Sequence, residues 1–447
     1  MLPVLLASTA AAEPWRLQDQ GLPGWLKIWG EERYRLEVMD NTFRAIDPGF
    51  DRMTTSRLLL AAEASGEHWF VGAELQDSRA WWHDDRTPLG TADVNAGEFL
   101  QAYMGVRGKS VLAEGDELAF YAGRMTLDMG ASRIVARNGY RNTINGFAGA
   151  RLAWKGAGGS RVQAFYTLPM ERLPDNTDRD ALRDNEIQND KSTRDRVLWG
   201  VELARYAIDE ERLGDLYLVG FREDDRPSLP ARERDHLTVG GRFYDETGPW
   251  QGEVELAYQW GDAVALPPAT PGTLDIEAWL LHLEVSHVFD GPSALRLYAK
   301  YDFASGDSDP TDNKLERFDT LFAARRRDFG LLGIYGPFFF SNISSPAVGL
   351  KMRVSPSLRF ETSYRPAWLA EKRDFFVGSG IRDREGQSGD FIGHQFDARF
   401  DWEVIPRQLT LMFGAAWLNK GEFLKDAPLA PDNGDTIYGV TQFILRF

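Results

Sequence analysis

Arginine recurs at every second position in parts of the chain, most clearly at Arg33 and Arg35. Because side chains two residues apart in a β-strand point to the same face, this spacing would place the guanidinium groups in a row. A guanidinium group stays charged at any relevant pH and binds a carboxylate through two parallel hydrogen bonds. A row of them along a water-filled wall would therefore form a pathway for an anionic solute.

The polar faces of the predicted strands supply further basic residues for such a wall. By alternation, the wall would carry Arg33, Arg35, Arg57, Arg124, Arg151, Arg242, Arg296, Lys300, Lys351, Arg353, Arg359, Arg365 and Arg399. Carboxylates on the same faces would hold these cations in position: Glu31, Glu63, Glu74, Asp128, Glu361 and Asp397. The alternative is that opposite charges pair across strands and only brace the wall.

No arrangement typical of a catalytic or metal site is present in the sequence. The six histidines show no HExxH spacing, and G-x-S-x-G, a phosphate-binding loop and cysteine are absent. We therefore predict no enzyme and no cofactor, the alternative being an Asp-His-Ser site built across strands. Acidic loops offer oxygen ligands for calcium, but their spacing matches no EF-hand and favours a solvated loop. The formal charge of −16 argues against a nucleic-acid partner.

The elements that position these residues are β-strands, because apolar side chains recur with a period of two. The stretch QGEVELAYQW, for example, places Val254, Leu256 and Tyr258 on one face and Glu253 and Glu255 on the other. Such segments therefore have one apolar face and one charged face.

Short and long connections alternate between about eighteen segments of this kind, a pattern typical of outer-membrane barrels. We predict an all-β fold: a single transmembrane antiparallel β-barrel of about 18 strands, with short periplasmic turns and long extracellular loops. The last strand ends at the aromatic Phe447 and would pair with the first, because closure satisfies every backbone group in lipid. A soluble β-sandwich also alternates, but its connections need not alternate in length.

The first twelve residues contain a short apolar run followed by small residues, and Ala10 and Ala12 fit a signal-peptide cleavage site. Because the usual basic start is missing, we interpret residues 1–12 as a clipped signal peptide and residues 13–447 as the barrel. The alternative is a buried N-terminal strand. The barrel would lie in the outer membrane of a Gram-negative bacterium, in contact with its lipid.

Two long loops are candidates for a plug or a gate. Residues 77–96 combine Trp81 and Trp82 with charged residues, whereas residues 325–345 are strongly apolar and punctuated by glycine. An apolar run exposed to water would be an aggregation liability. We therefore expect residues 325–345 to fold into the lumen, or to pack on a rim or on a neighbouring molecule.

Several stretches resemble the alginate export family of Gram-negative outer-membrane barrels, and the similarity covers essentially the whole mature chain. In the first third it is carried by RLLLAAEA (57–64), ELQDSRA (74–80), VNAGEFLQAYMGV (94–106) and YAGRMTLDMGASRIVARNGYRNT (121–143). Later similarity is carried by FGLLGIYG (329–336), YRPAWL (364–369) and the strand that ends in phenylalanine.

The resemblance implies an eighteen-strand barrel that carries a uronate polymer outward through an arginine-rich constriction. The basic positions of that pattern are matched best by Arg124, Arg133, Arg137 and Arg141. Weaker matches lie in later strands, at Arg353, Arg359 and Arg365.

We accordingly expect a monomeric channel for the passive export of an anionic polysaccharide, alginate or a similar uronate polymer. Arginine forks would bind the polymer, and periplasmic or lipoprotein secretion partners would supply any energetic coupling. The alternatives are a diffusion porin for small anionic or organic-acid solutes and a plugged structural barrel.

Overall fold

The computed structural model describes residues 15–45, 49–208, 212–225, 233–265 and 272–447. The predicted signal peptide, residues 1–12, lies outside these ranges. The described strands are, in chain order, β1 (Leu26–Asp40), β2 (Phe50–Ser65), β3 (Trp69–Trp81), β4 (Asn95–Lys109), β5 (Glu117–Met125), β6 (Phe147–Lys155), β7 (Arg161–Pro169), β8 (Arg196–Ala207), β9 (Arg212–Glu223), β10 (Arg234–Asp245), β11 (Trp250–Val264), β12 (Thr273–Val288), β13 (Arg296–Ala304), β14 (Lys314–Leu315), β15 (Ile343–Ser355), β16 (Leu358–Trp368), β17 (Phe391–Ile405), β18 (Leu409–Lys420) and β19 (Thr436–Arg446).

The sheet closes on itself, because β1 pairs antiparallel with both β2 and β19. The wall has 18 strands, since the two-residue β14 pairs parallel with β12 while β13 pairs directly with β15. At the seam, the backbones of Gly30 and Phe447 exchange two hydrogen bonds of 2.8 and 3.0 Å. The predicted closed antiparallel barrel of about 18 strands is confirmed.

The connections between strands are short at one end of the barrel and long at the other. One end, here called the turn end, has short links such as residues 66–68 and 356–357. The other, here called the loop end, has long ones such as residues 305–342 and 369–390. The helices are short: a 3₁₀ turn (Leu17–Asp19), α1 (Arg179–Arg183), α2 (Arg326–Phe329) and α3 (Glu422–Asp426). Within the described ranges, no helix has the length and apolar character needed to cross a membrane.

Apolar side chains cover the outside of the barrel. In β3, Trp69, Val71 and Leu75 are exposed, whereas the alternating residues Phe70 and Glu74 are buried. Because the two faces of a strand alternate, the buried residues point into the barrel and the exposed apolar ones point out. The outward face therefore suits hydrocarbon, and the charged residues are kept inside.

Two long connections fold back into the barrel from its loop end. They are the first inner segment, residues 126–146, and the second inner segment, residues 305–342. They meet where Ala136 N donates to Phe322 O at 3.1 Å and Phe322 N donates to Ile134 O at 3.0 Å. Together with inward residues of the wall they form one buried apolar cluster.

Of the three placements expected for the apolar run 325–345, the structure shows the lumen, because Phe329, Leu331 and Phe338 belong to this cluster. Trp81 and Trp82, by contrast, are exposed. The charged and aromatic loop 77–96 therefore does not insert these two rings into the interior.

Gly333 allows the second inner segment to approach the wall closely. Its φ is +106°, and a Cβ atom at this position would lie 1.6 Å from Oε1 of Glu37 on β1. The next amide, of Ile334, donates to the same oxygen at 3.2 Å. A residue with a side chain would clash with Glu37 and also adopt a strained backbone, so glycine is required here.

Candidate functional site

Arginines of the wall hold the first inner segment by its backbone. Arg33 donates hydrogen bonds of 2.9–3.2 Å to the carbonyl oxygens of Gly139, Tyr140 and Arg141. Arg57 donates to Gly139 O at 2.7 Å and to Arg141 O at 2.9 Å. Two neighbouring strands thus present guanidinium groups to one short stretch of main chain.

Further guanidinium groups in this region also face neutral atoms. Arg35 donates to Tyr140 O at 2.6 Å, and its guanidinium carbon lies 4.2 Å from the centre of the Tyr140 ring. Arg44 donates to Tyr335 O at 2.7 Å. Arg141 donates to a carbonyl oxygen and to an amide side chain of its own segment.

Two loop arginines extend this group. Arg172 donates to Thr91 O at 2.9 Å, and Arg325 donates to Phe338 O at 2.9 Å. We call the six residues the arginine cluster: Arg33, Arg35, Arg44, Arg141, Arg172 and Arg325. In the described part of the chain, no carboxylate lies within 4.0 Å of their side-chain nitrogens, the distance that defines an ion pair here. Their positive charges therefore lack direct counter-ions.

The pKa values of three cluster arginines that lie in loops show that burying a charge without a counter-ion costs free energy. Burial lowers the pKa of Arg172 to about 10, and burial together with the neighbouring Arg44 lowers the pKa of Arg325 to about 9. Burial, reinforced by Arg172, takes the pKa of Arg141 well below its usual range. Desolvation without a counter-ion weakens the charged form of each group.

Asp93 is the acid that acts on most of this cluster from a distance. Its carboxyl group interacts electrostatically with Arg35, Arg44, Arg141 and Arg172, although it makes no ion pair with them. Burial, reinforced by the negative charge of Glu37, raises the pKa of Asp93 to about 7. The net charge in this region therefore changes near neutral pH.

A second set of interior cations is neutralised by carboxylates, with Arg133 at its centre. The Arg133 side chain is fully buried and its Nη1 lies 2.6 Å from Glu253 and 2.5 Å from Glu255. Its Nη2 and Nε lie 2.9 and 3.1 Å from the two oxygens of Asp328. Burial acts to lower the pKa of Arg133, but the three carboxylates raise it well above its usual range. This network fastens both inner segments to β11.

His282 belongs to the same ion-pair network around Arg133. His282, Asp302 and Asp328 bring possible metal-ligand atoms within 4.8 Å of one another. However, Arg365 binds Asp302 at 2.7 Å and Arg133 binds Asp328. Because guanidinium groups already use these carboxylates, we interpret the group as part of the ion-pair network and not as a cation site.

The remaining predicted residues are placed as follows. Predicted cations with a carboxylate partner are Arg57 with Glu31, Arg124 with Glu98 and Asp190, Arg137 with Glu74, Arg242 with Asp215 and Glu253, Arg296 with Glu284, Lys351 with Glu361, Arg359 with Glu403, Arg365 with Asp302, and Arg399 with Glu361 and Asp401. Lys300 donates to the carbonyl oxygen of Asp328. Across the described ranges, Arg151 and Arg353 have no carboxylate within 4.0 Å.

The predicted carboxylates that are not covered by these pairs bind neutral donors. Glu63 accepts from the Tyr103 hydroxyl at 2.9 Å, and Asp397 accepts from Ser363 at 2.6 Å. Asp128 accepts from the backbone amide of Arg137 at 2.9 Å. Thus the structure brings Arg33, Arg35, Arg57 and Arg141 together, whereas the following residues lie toward the turn end: Arg296, Lys351, Arg353, Arg359 and Arg399.

Sequence reasoning missed Arg44, Arg172, Arg325, Asp93 and Asp328. They lie in connections where no periodicity indicates which way a side chain points. The one available signal was a run of charged residues, RRRD at 325–328, directly before an apolar stretch. Charges next to an apolar segment that must be buried are expected to be buried with it.

A cavity of about 730 Å³ lies on the turn-end side of the first inner segment. Basic side chains on its wall include Arg151, Lys155 and Arg161, and Glu117 and Glu202 are among the acidic ones. The guanidinium of Arg151 lies 5.4 Å from the centre of the Tyr121 ring. This part of the interior is polar and unfilled by protein, in contrast to the apolar cluster that the two inner segments form.

A closed antiparallel barrel with an apolar outer surface and a charged interior defines a channel-type protein of the Gram-negative outer membrane. The turn end faces the periplasm and the loop end faces the exterior. The chain belongs to the alginate export family, whose profile matches residues 24–434. The predictions of family and location are confirmed, and this family and fold are those of transport channels.

Solved outer-membrane proteins of Pseudomonas aeruginosa share the fold. OpdO is 12% identical with a TM-score of 0.55, and the alignment covers 94% of this chain and 97% of OpdO. OprD is 12% identical with a TM-score of 0.55, covering 98% of this chain and 95% of OprD. OccK10 (OpdN) is 14% identical with a TM-score of 0.52, and the alignment covers 94% of this chain and 99% of OccK10. No curated protein matches the sequence significantly.

Proposed function

We propose that the protein is a channel for the passive export of an anionic polysaccharide, alginate or a similar uronate polymer, through an arginine-lined pore. The observation that supports this proposal most is the arginine cluster, in which buried and half-buried guanidinium groups contact carbonyl oxygens and rings. A buried charge without a counter-ion is costly, and a uronate carboxylate would supply that counter-ion. Family membership supports the same conclusion.

The contacts of the first inner segment suggest how a polymer would enter. Arg33 and Arg57 bind neutral carbonyl oxygens of residues 139–141. A carboxylate forms shorter and stronger hydrogen bonds with guanidinium than a neutral carbonyl does, often through both of its oxygens. Carboxylates of the polymer would therefore compete with the main-chain carbonyl groups for the same guanidinium donors. This competition would favour a conformation in which the first inner segment has moved away from the wall.

The polymer would arrive from the periplasm, where the cavity of about 730 Å³ presents Arg151, Lys155 and Arg161. It would then pass the arginine cluster toward the exterior, moving down its concentration gradient. No bond is broken and no nucleotide is used. One chain encloses the pore, and periplasmic or lipoprotein secretion partners would supply any energetic coupling.

A second candidate function is a diffusion porin for small anionic or organic-acid solutes, because the same cluster attracts any anion. The third alternative, a plugged structural barrel, is favoured by the buried apolar cluster at the loop end. The three functions differ in which solutes move through the protein and in whether any do.

Planar-bilayer recordings with purified protein separate these functions. We expect an anion-selective current that millimolar uronate oligomers block, with block strengthening as the oligomer grows, because longer chains reach more guanidinium groups. A neutral oligosaccharide of equal length is the control. Block that is equal for a single uronate and for a long oligomer would favour the porin, and absence of current with and without polymer would favour the plugged barrel.

Anion preference should also depend on pH through Asp93. Because its pKa is about 7, Asp93 is neutral below that pH and negative above it, so lowering the pH from 8 to 6 makes the pore more positive. We expect the anion-to-cation permeability ratio to rise roughly twofold over this range. Reversal potentials in a salt gradient measure this ratio.

In the Asp93→Asn variant, the anion-to-cation permeability ratio should be the same at pH 8 as at pH 6, and close to that of the unmodified protein at the lower pH. Asp312→Asn is a suitable control, because Asp312 is an exposed residue whose loss changes the net charge by the same amount. If Asp93→Asn keeps the full pH dependence of the unmodified protein, the titrating group is not Asp93.

A further inference from the structure

A second cavity, of about 580 Å³, lies near the loop end. It is bounded by β10–β12, the second inner segment and the connection between β16 and β17. Four phenylalanines border it: Phe318, Phe339, Phe375 and Phe376. Its volume is in the range that holds small organic ligands, and its walls are largely apolar.

His236 is a buried polar side chain on the wall of this cavity. It is 2% exposed, on the inward face of β10, and its ring packs edge-on against Phe221 at 5.8 Å. Neither ring nitrogen has a hydrogen-bond partner in the described part of the chain. Both nitrogens are buried, so a ligand in the cavity would reach one of them once the ring turns toward it. Because buried polar groups are nearly always paired, such a contact would satisfy an unmet group.

Arg317, on the same wall, forms one ion pair and keeps two unpaired donors. Its Nε lies 3.4 Å from Oδ2 of Asp374, and its guanidinium carbon lies 5.3 Å from the centre of the Phe375 ring. Among the described residues, its two terminal nitrogens have no hydrogen-bond partner within 3.5 Å. The side chain is 22% exposed, so this pair of donors can receive a carboxylate.

Arg234 and Gln259, also on the wall, already have partners. Arg234 pairs with Glu223 at 2.9 Å and with Asp319. Gln259 donates to Asp319 O at 2.8 Å and accepts from Asp319 N at 2.9 Å. The cavity therefore presents few unmet polar groups, and they lie among aromatic rings.

We propose that this cavity is a binding site for a small aromatic carboxylate. The aromatic ring would pack among the four phenylalanines, and the carboxylate would bind the terminal nitrogens of Arg317. A hydroxyl substituent on the ring would form a hydrogen bond with His236. A sugar fits poorly, because its many hydroxyl groups need more partners than these walls provide.

None of the six members of the arginine cluster borders this site, although Arg325 lies over the ring of Phe339 on its wall. The proposal does not rest on polymer export, because it uses Arg317 and His236, which are outside the cluster. Titration calorimetry of the purified full-length protein in detergent tests it, with benzoate, 4-hydroxybenzoate and galacturonate as probes. We expect 4-hydroxybenzoate to bind about tenfold more tightly than benzoate, because only the former reaches His236, and galacturonate to bind more weakly than either.

Arg317→Gln should weaken the binding of both aromatic acids about tenfold or more, since the bidentate charged contact is lost. His236→Leu should remove the preference for 4-hydroxybenzoate and leave benzoate binding unchanged. Arg382→Gln is the matched control: Arg382 also lies over the Phe375 ring, at 4.8 Å, but does not border the cavity, so binding should not change.

Three results would overturn this proposal. The first is that Arg317→Gln binds benzoate as tightly as the unmodified protein does. The second is that galacturonate binds at this site as tightly as the aromatic acids. The third is that His236→Leu still prefers 4-hydroxybenzoate to benzoate. Heat-modifiable migration on gels reports whether each variant forms the barrel. If Arg317→Gln does not fold, the His236→Leu comparison alone decides the outcome.

Discussion

Arg133→Met should release the two inner segments from the wall and open the loop end of the barrel. The substitution leaves Glu253, Glu255 and Asp328 buried together without the cation that all three share. Removing one partner of a buried ion pair typically costs about 3–5 kcal/mol, and here the repulsion among the remaining carboxylates adds to that cost. We expect a lower melting temperature and a several-fold increase in single-channel conductance.

Arg137→Gln is the matched control, because Arg137 lies in the same segment but is 26% exposed and pairs with Glu74 alone. Its conductance should stay close to that of the unmodified protein. Adding Glu255→Gln to Arg133→Met should recover part of the lost stability, since one of the orphaned charges disappears. An Arg133→Met channel with unchanged conductance and melting temperature would show that this network does not hold the segments in place.

Replacing both Arg33 and Arg141 with glutamine should lower the anion-to-cation permeability ratio about tenfold. Both side chains belong to the arginine cluster, and neither has a carboxylate within 4.0 Å in the described ranges. Two positive charges that are not neutralised locally dominate the potential in a narrow, protein-lined passage. The same variant should require at least tenfold more uronate oligomer for half-maximal block. Reversal potentials and current block measure the two effects.

Replacing both Arg222 and Lys314 with glutamine provides the control for net charge, because it also removes two positive charges. Lys314 is 41% exposed and pairs with Glu277. Arg222 is 54% exposed and pairs with Asp224, so its loss changes the charge of the chain without changing the interior. Selectivity and block should remain as in the unmodified protein. If the Arg33 and Arg141 variant also keeps both properties, permeating ions do not pass the arginine cluster, and the proposed pathway is wrong.

The sequence by itself determined the barrel. Alternation with a period of two identified the strands and their apolar faces, as in β11 with Val254 and Leu256 outward and Glu253 and Glu255 inward. The alternating length of the connections indicated an even number of antiparallel strands, and the aromatic end of the last strand indicated closure with the first. These features are local, because a strand fixes the direction of each side chain relative to its neighbours.

Only the tertiary structure decided what each inward charge contacts. Arg133 meets Glu253 and Asp328, which lie 120 and 195 positions further along the chain, in places set by how two loops fold back into the lumen. Arg33 and Arg35 were predicted on the inward face of β1, but the sequence does not show that main-chain carbonyl groups would cover them. Alternation fixes the face on which a side chain lies, whereas its partner depends on loop conformations without periodicity and on the competition among buried charges for few counter-ions.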